Sequence, residues 1–211
     1  INIPTGIFRG FENIGSNYGM IMAILGGDDA GGGVTWAPQV IEDAAEHGLI
    51  LGENGRLYDS KKGEALPDSL KPMPLLSNDF LAQIPEPKAK KLVPRHVARY
   101  NDLMAFAAHE PVQVIGEEGI LPDKPGFNID FLTRSPTLKV PESFENSAVL
   151  MPVRGHWKLS WEGGNVVLNP GDTCLLEPGF SHRIEPSVTG EASLYRILSN
   201  EDPAGPTWVG N

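Results

Sequence analysis

A chain of 211 residues with 40% hydrophobic side chains carries enough apolar material for one large core or two small ones, which excludes a disordered polymer. A formal net charge of −10, with the densest basic stretch (88–99) interrupted by proline, excludes a phosphate-tracking surface and hence a nucleic-acid partner. No window shows the run of about 20 apolar residues of a membrane helix or the layout of a secretory leader. The lone Cys174 permits neither an internal disulfide nor a cysteine zinc cage, so a reducing cytoplasm is the expected setting.

In chain order, residues 8–26 (FRGFENIGSNYGMIMAILG) predict a strand, a tight turn around Gly15 to Gly19, and a second apolar strand, MIMAIL. The glycine cluster GGDDAGGG lacks the Lys-Ser/Thr of a phosphate loop and reads as a loop leading into a helix. Thr35, Asp28 and Asp29 are the candidate caps for that helix; Pro38 lies in its first turn and Val40, Ile41, Ala44 and Ala45 recur at helical spacing. Gly48 ends it, and His47 in the last turn is a helix-end cation. Asn54-Gly55, between two apolar runs, predicts a hairpin with a two-residue turn.

Prolines at 67, 72, 74, 85, 87, 94, 111, 122 and 125 interrupt residues 60–125, leaving room for short helices such as SNDFLAQI and ARYNDLMAFAA in an arm wrapped over a surface. His96 and His109 fall in this arm, as solvent-facing or capping groups. From 126 onward eight short runs follow: GFNIDFLTR, TLKV, SAVLMPVR, HWKLSW, NVVL, TCLLE, HRIE and ASLYRIL. Pro, Gly, Ser, Asn and Asp separate them, the punctuation of a small antiparallel sandwich or jelly roll. Alternation on HWKLSW puts Trp157, Leu159 and Trp161 on one face and His156, Lys158 and Ser160 on the other. Cys174, in the apolar run TCLL, is expected to act as a small buried hydrophobe. The tail after Leu198 is rich in Pro and Gly.

The stretch Gly171 to His182, GDTCLLEPGFSH, resembles the second conserved motif of the cupin superfamily. Gly171 and Asp172 make its turn, Pro178 and Gly179 follow the strand, and His182 stands where metal-binding cupins carry a ligand. Upstream, RGHWKLSWEGGNVVLNPGD is similar to the cupin strand ending in glycine, the hairpin and the next strand, so the likeness covers about 126–198. In the first cupin motif, His-x-His precedes a glutamate and then a glycine. Counting back from Gly155, the glutamate position falls on Ala148 and the histidine positions around Glu142 to Phe144, where no histidine occurs. The resemblance therefore implies either oxygen ligands beside His182, drawn from Glu142, Glu145 and Asn146 and suited to iron or manganese, or a barrel without metal.

The opening residues Pro4, Gly6, Arg9 and Asn13 repeat the spacing of that second motif, with Arg9 in the place of the histidine. Together with the block GFENIGSNYGMIMAILGGDDAGGGVTWAPQVIEDAAEHGLIL, this resembles the join between barrels in bicupins, most closely the large subunit of hydroquinone 1,2-dioxygenases. The implied fold is mainly β. Residues 1–26 are a remnant of a first cupin barrel, 27–125 a helical, proline-rich arm, 126–198 a C-terminal jelly-roll cupin barrel and 199–211 a tail.

The implied activity is that of a non-haem iron dioxygenase acting on a small aromatic diol, with His182, Glu142 and Asn146 as metal ligands and Arg9 and His156 meeting substrate. The alternative is a non-catalytic or metal-free cupin serving as a small-ligand-binding or oligomerisation module. An isomerase with Tyr195 as acid beside His182 or His156 is a third reading. The expected assembly is a homo- or hetero-oligomer, in which another polypeptide or upstream sequence completes the first barrel.

Overall fold

The computed structural model describes residues 1–3, 8–25, 35–84, 96–121, 126–134 and 140–200. Internal contacts divide the chain into two units, one from 1–5, 23–30 and 87–211 and the other from 6–22 and 31–86. Among the described residues no helix is long and apolar enough to cross a membrane.

In the smaller unit, α1 (Pro38–Glu46) starts with proline at its first position, where the missing N–H has no intrahelical partner to lose. Ala37 occupies the N-cap position without a side-chain cap, so Thr35 does not serve there, and Asp28 and Asp29 lie outside the described residues. The helix ends as expected: Gly48 takes φ 82°, and the ring Nδ1 of His47 meets the carbonyl of Asp43 at 2.8 Å. The hairpin β1 (Leu49–Leu51) and β2 (Leu57–Asp59) also forms. Its loop is one residue longer than expected, because Gly52 N–H donates to Arg56 O (2.8 Å) and leaves Glu53, Asn54 and Gly55 to turn the chain. Gly55, at φ 78°, supplies the left-handed residue that closes such a loop.

The two strands expected over 8–26 are not formed among the described residues. A strand gains its ladder hydrogen bonds only from a neighbour, and residues 8–25 pair with none. Asn13 instead makes a local turn, accepting from Gly15 N–H (3.0 Å) and donating to Asn17 O (2.7 Å). Phe11, Ile14, Tyr18, Met20 and Ile21 are exposed.

The larger unit is a two-sheet jelly roll. Its strands are β3 (Val112–Ile115), β4 (Phe127–Thr133), β5 (Ala148–Arg154), β6 (Trp157–Trp161), β7 (Gly164–Leu168), β8 (Cys174–Leu176), β9 (Arg183–Pro186) and β10 (Ser193–Ser199). One sheet runs β3-β4-β10-β5-β8 and the other β7-β6-β9, all pairs antiparallel. The last strand thus lies beside the first long one, which is the Greek-key closure that blunts sheet edges. An isolated bridge, Glu142 with His182, extends the smaller sheet beyond β9.

Seven of the eight runs read from the sequence beyond residue 126 become these strands. The eighth, TLKV, falls largely outside the described residues. The sheet also begins earlier than residue 126: Val112–Ile115, assigned to the arm by its proline-rich surroundings, pairs with β4. Strand pairing overrode the local composition there.

Alternation sorts the larger sheet's side chains into two cores. Leu132, Leu150, Trp157, Leu159, Leu168, Leu194 and Ile184 fill the space between the sheets, with Cys174 packed at their edge. Phe127, Ile129, Phe131 and Ile197 point the other way, onto Leu103 and Ala107. Leu103 lies in the middle of α3 (Tyr100–Phe106) and Ala107 is its C-cap; the shorter α2 (Asn78–Leu81), with its Ser77 cap, precedes it in the chain. Tyr100 Oη meets Ser193 Oγ at 2.8 Å and the Thr133 hydroxyl donates to Ala107 O, so this part of the arm is tied to the sheet. Each fully buried Leu or Phe contributes about 1.5–3 kcal/mol.

Two outcomes follow for stability. Gly155 has φ 67°, and a Cβ there would stand 2.6 Å from Glu191 O. Gly155→Ala is expected to destabilise by more than the roughly 1–2 kcal/mol of a left-handed non-glycine residue, read as a lower urea midpoint. Tyr195 lies on the outer core against Phe131 at 5.1 Å. Burial first, and the neighbouring Tyr100 second, push its phenol above the ordinary tyrosine value. The neutral phenol therefore contributes stability that is complete below about pH 10 and lost as pH rises through the raised folded value. Tyr195→Phe should lose less stability than the wild type between about pH 8 and about pH 11, read as urea midpoints at both.

Candidate functional site

The inner face of β10 carries Leu194, Arg196 and Leu198, a cation in the middle of an apolar strand. Opposite Arg196 in the ladder stands Asp130 on β4. The guanidinium donates from Nη2 and Nε to Asp130 Oδ2 at 2.8 and 3.1 Å, and from Nη1 to Glu142 Oε2 at 2.8 Å. It also sits 4.9 Å from the centre of the Phe144 ring, a cation–π contact. With only 9% of its surface exposed, Arg196 requires such partners, since an unpaired buried charge is strongly destabilising.

Glu142 joins this group through the backbone. Its N–H donates to His182 O (2.8 Å) and its carbonyl accepts from His182 N–H (2.9 Å), so the two side chains emerge as neighbours. The Pro178–Gly179 turn, with Gly179 at φ 74° and its N–H on Phe144 O (2.8 Å), delivers the chain to this bridge. His182 is fully buried, with its Nε2 3.9 Å from Glu142 Oε1. Its Nδ1 lies 2.9 Å from the carbonyl of Phe180. A carbonyl only accepts, so in the neutral ring Nδ1 carries the hydrogen and Nε2 presents a lone pair. That Nε2 has no hydrogen-bond partner.

Aromatic rings wall the imidazole. Phe180 stacks on it at 5.9 Å and 16°, Phe144 tilts against it at 5.5 Å, and Trp161 lies 6.0 Å beyond Phe180. Trp161 is 37% exposed and the Glu142 side chain 31%, whereas Trp157 and Leu159 on the same face of β6 are buried. The barrel interior thus runs from a packed apolar end to a polar, aromatic end that reaches solvent.

Of the residues named from the sequence, the fold brings His182 and Glu142 together. Asn146 does not join them: its amide donates to Ser199 O at 3.3 Å. Glu145 is exposed. His156 lies outside the barrel interior, exposed, with its Nδ1 2.9 Å from Asn169 Oδ1, because alternation along β6 turns it away from the Trp157 face. Arg9 is exposed in a segment assigned to the other unit. Tyr195 points to the outer core, opposite to Arg196, so it cannot be the acid partner of His182. His96 is buried and His109 exposed. Asp130, Arg196, Phe144 and Phe180 escaped the sequence reading; the signal for the first two was a charge on the inward-facing period of an apolar strand, NIDFL and SLYRIL.

His182 presents its free nitrogen as a metal ligand would, with the other nitrogen held by a carbonyl. The rest of the set does not fit a resident divalent metal. Phe144 and the buried Ala148 offer no side-chain donor atom to an ion. Asp130 and one oxygen of Glu142 are engaged by Arg196, whose own charge opposes a dication. Among the described residues no group of three or more His, Cys, Asp or Glu is arranged to hold an ion.

No family model and no curated protein matches the sequence. Solved structures that the chain is similar to include a cupin-2 domain protein from Shewanella frigidimarina, at 14% identity and TM-score 0.38, with 49% of this chain and 95% of that one covered. A cupin superfamily protein from Desulfitobacterium hafniense is similar at 12% identity and TM-score 0.30, over 36% and 68% of the two chains. The iron(II) form of HppE is similar at 20% identity and TM-score 0.31, over 35% of this chain and 43% of its own. The jelly-roll assignment rests on the strand order and register of this chain.

Proposed function

We propose that the barrel is a small-molecule binding module that works without a resident metal and takes a flat, hydroxylated ring compound at its open end. The observation that carries this reading is the Nε2 of His182, a buried acceptor without a donor, set between the rings of Phe144 and Phe180. A buried acceptor left unmatched costs about 1–3 kcal/mol. A ligand hydroxyl that donates to Nε2 relieves that cost while the ring stacks among the aromatic walls, and a second donor can serve Glu142 Oε1, 3.9 Å away. Both protein groups accept, so the site selects for a donor.

An iron-dependent ring cleavage in the same barrel would need further ligands where Phe144 and Ala148 stand, and the donor set favours binding over that chemistry. The ligand class stays close to the aromatic diols implied by the sequence resemblance.

Titration with hydroquinone, followed by tryptophan fluorescence, should show saturable quenching that disappears in Trp161→Phe. Blocking both hydroxyls, as in 1,4-dimethoxybenzene, should weaken binding about tenfold or more, the equivalent of one lost buried hydrogen bond. His182→Phe, which keeps the aromatic stack, should erase the difference between the two compounds. Equal affinity for both compounds in the wild type would remove the basis for the proposal.

A further inference from the structure

We infer that the ligand's polar edge is a vicinal diol: two hydroxyls on adjacent ring atoms, one donating to His182 Nε2 and the other to Glu142 Oε1. The inference rests on the binding reading above and adds to it the arrangement of hydroxyls that the site selects.

The site offers a pair of acceptors rather than one. His182 Nε2 has no hydrogen-bond partner, and its side chain is fully buried. Glu142 Oε1 lies 3.9 Å away, too far for a direct hydrogen bond to the imidazole. Two sets of contacts hold that separation. In the backbone bridge, Glu142 N–H donates to His182 O at 2.8 Å and His182 N–H to Glu142 O at 2.9 Å, which sets the two residues side by side. Arg196 Nη1 donates to the other carboxylate oxygen, Oε2, at 2.8 Å, and the carbonyl of Phe180 holds His182 Nδ1 at 2.9 Å. Neither side chain turns without breaking one of these bonds.

A hydroxyl carries one hydrogen, so a single hydroxyl satisfies one acceptor and leaves the other unmatched. Hydroxyl oxygens on adjacent ring carbons stand closer together than the two acceptors do. With both O–H bonds turned outward, each reaches its own acceptor at ~2.8 Å. Hydroxyls at opposite ends of a ring point away from each other, so hydroquinone brings only one donor to the pair. Phe144 and Phe180 lie 5.5 and 5.9 Å from the imidazole, where they meet a flat ring that carries its diol edge to Nε2. Arg196 makes the pair depend on the carboxylate. Its N–H requires an acceptor from residue 142, so an amide there would give its oxygen to the guanidinium and turn its NH2 towards Nε2.

The test compares catechol, resorcinol and hydroquinone, isomers that share one ring and two hydroxyls and differ in the spacing between them. Dissociation constants are measured by isothermal titration calorimetry under nitrogen, which keeps the diols reduced. The wild type should bind catechol about tenfold or more tightly than either isomer, the effect of a second hydrogen bond to a charged acceptor. Guaiacol, in which one catechol hydroxyl is methylated, should fall to the level of hydroquinone. In Glu142→Gln, with its fold checked by thermal midpoint, catechol should lose its advantage. The ranking of the isomers on the wild type stands as a test even where that variant does not fold.

Equal affinity for the three isomers, with hydroquinone still binding more tightly than 1,4-dimethoxybenzene, would overturn the present inference and leave the binding reading standing. A catechol preference that guaiacol shares, or that a folded Glu142→Gln keeps, would overturn it as well. No saturable binding of any isomer would overturn both.

Discussion

The central position of β10 is the constraint on which the molecule depends. It pairs along seven positions with β4 and six with β5, so its register is held from both sides. Its period of two then decides everything on either face: Leu194, Arg196 and Leu198 point between the sheets, while Ser193, Tyr195 and Ile197 meet the outer core and α3. A slip of one residue would send Arg196 into an apolar layer and Tyr195 into the barrel. The charge is tolerated because the same ladder sets Asp130 directly opposite it.

That arrangement divides the barrel along its length. At one end Trp157, Leu150 and Leu168 pack in the apolar core, and the indole N–H donates to Ser193 O and Arg154 O. At the other end a fixed charge is surrounded by carboxylates and rings, and the backbone bridge between Glu142 and His182 sets the mouth. Desolvating an arginine is costly, and the three hydrogen bonds with the Phe144 contact offset that cost without requiring a net gain in stability. Paired charges of this kind specify a geometry. Here the geometry leaves one imidazole nitrogen without a partner beside rings that reach solvent.

Much of this fold was legible in the chain because strands, turns and caps are local. HWKLSWEGGNVVL reads as a hairpin, and the Asn169-Pro170-Gly171-Asp172 turn closes with Asn169 N–H on the Asp172 carboxylate at 2.7 Å. Val112–Ile115 was not legible, since prolines on both sides mark an arm and only its pairing with β4 makes it a strand. The apolar run MIMAIL misled in the opposite direction: β-propensity without a neighbour yields no strand. His182 was legible from its turn, and Glu142 from counting back along a motif. Arg196 and Asp130 were not, because they are 66 residues apart and meet only when β10 lies beside β4.

The sequence by itself determined the alternating runs, the turns between them, the helix Pro38–Glu46 with its stop at Gly48, and a histidine placed by Pro178 and Gly179, since each depends on residues within a few positions of one another. The tertiary structure alone decided which face of each strand is inside. That choice turned His156 and Tyr195 away from the site, brought Arg196 into it, and set a guanidinium between the carboxylates. Face and register depend on pairings across the whole domain, and no local pattern encodes them.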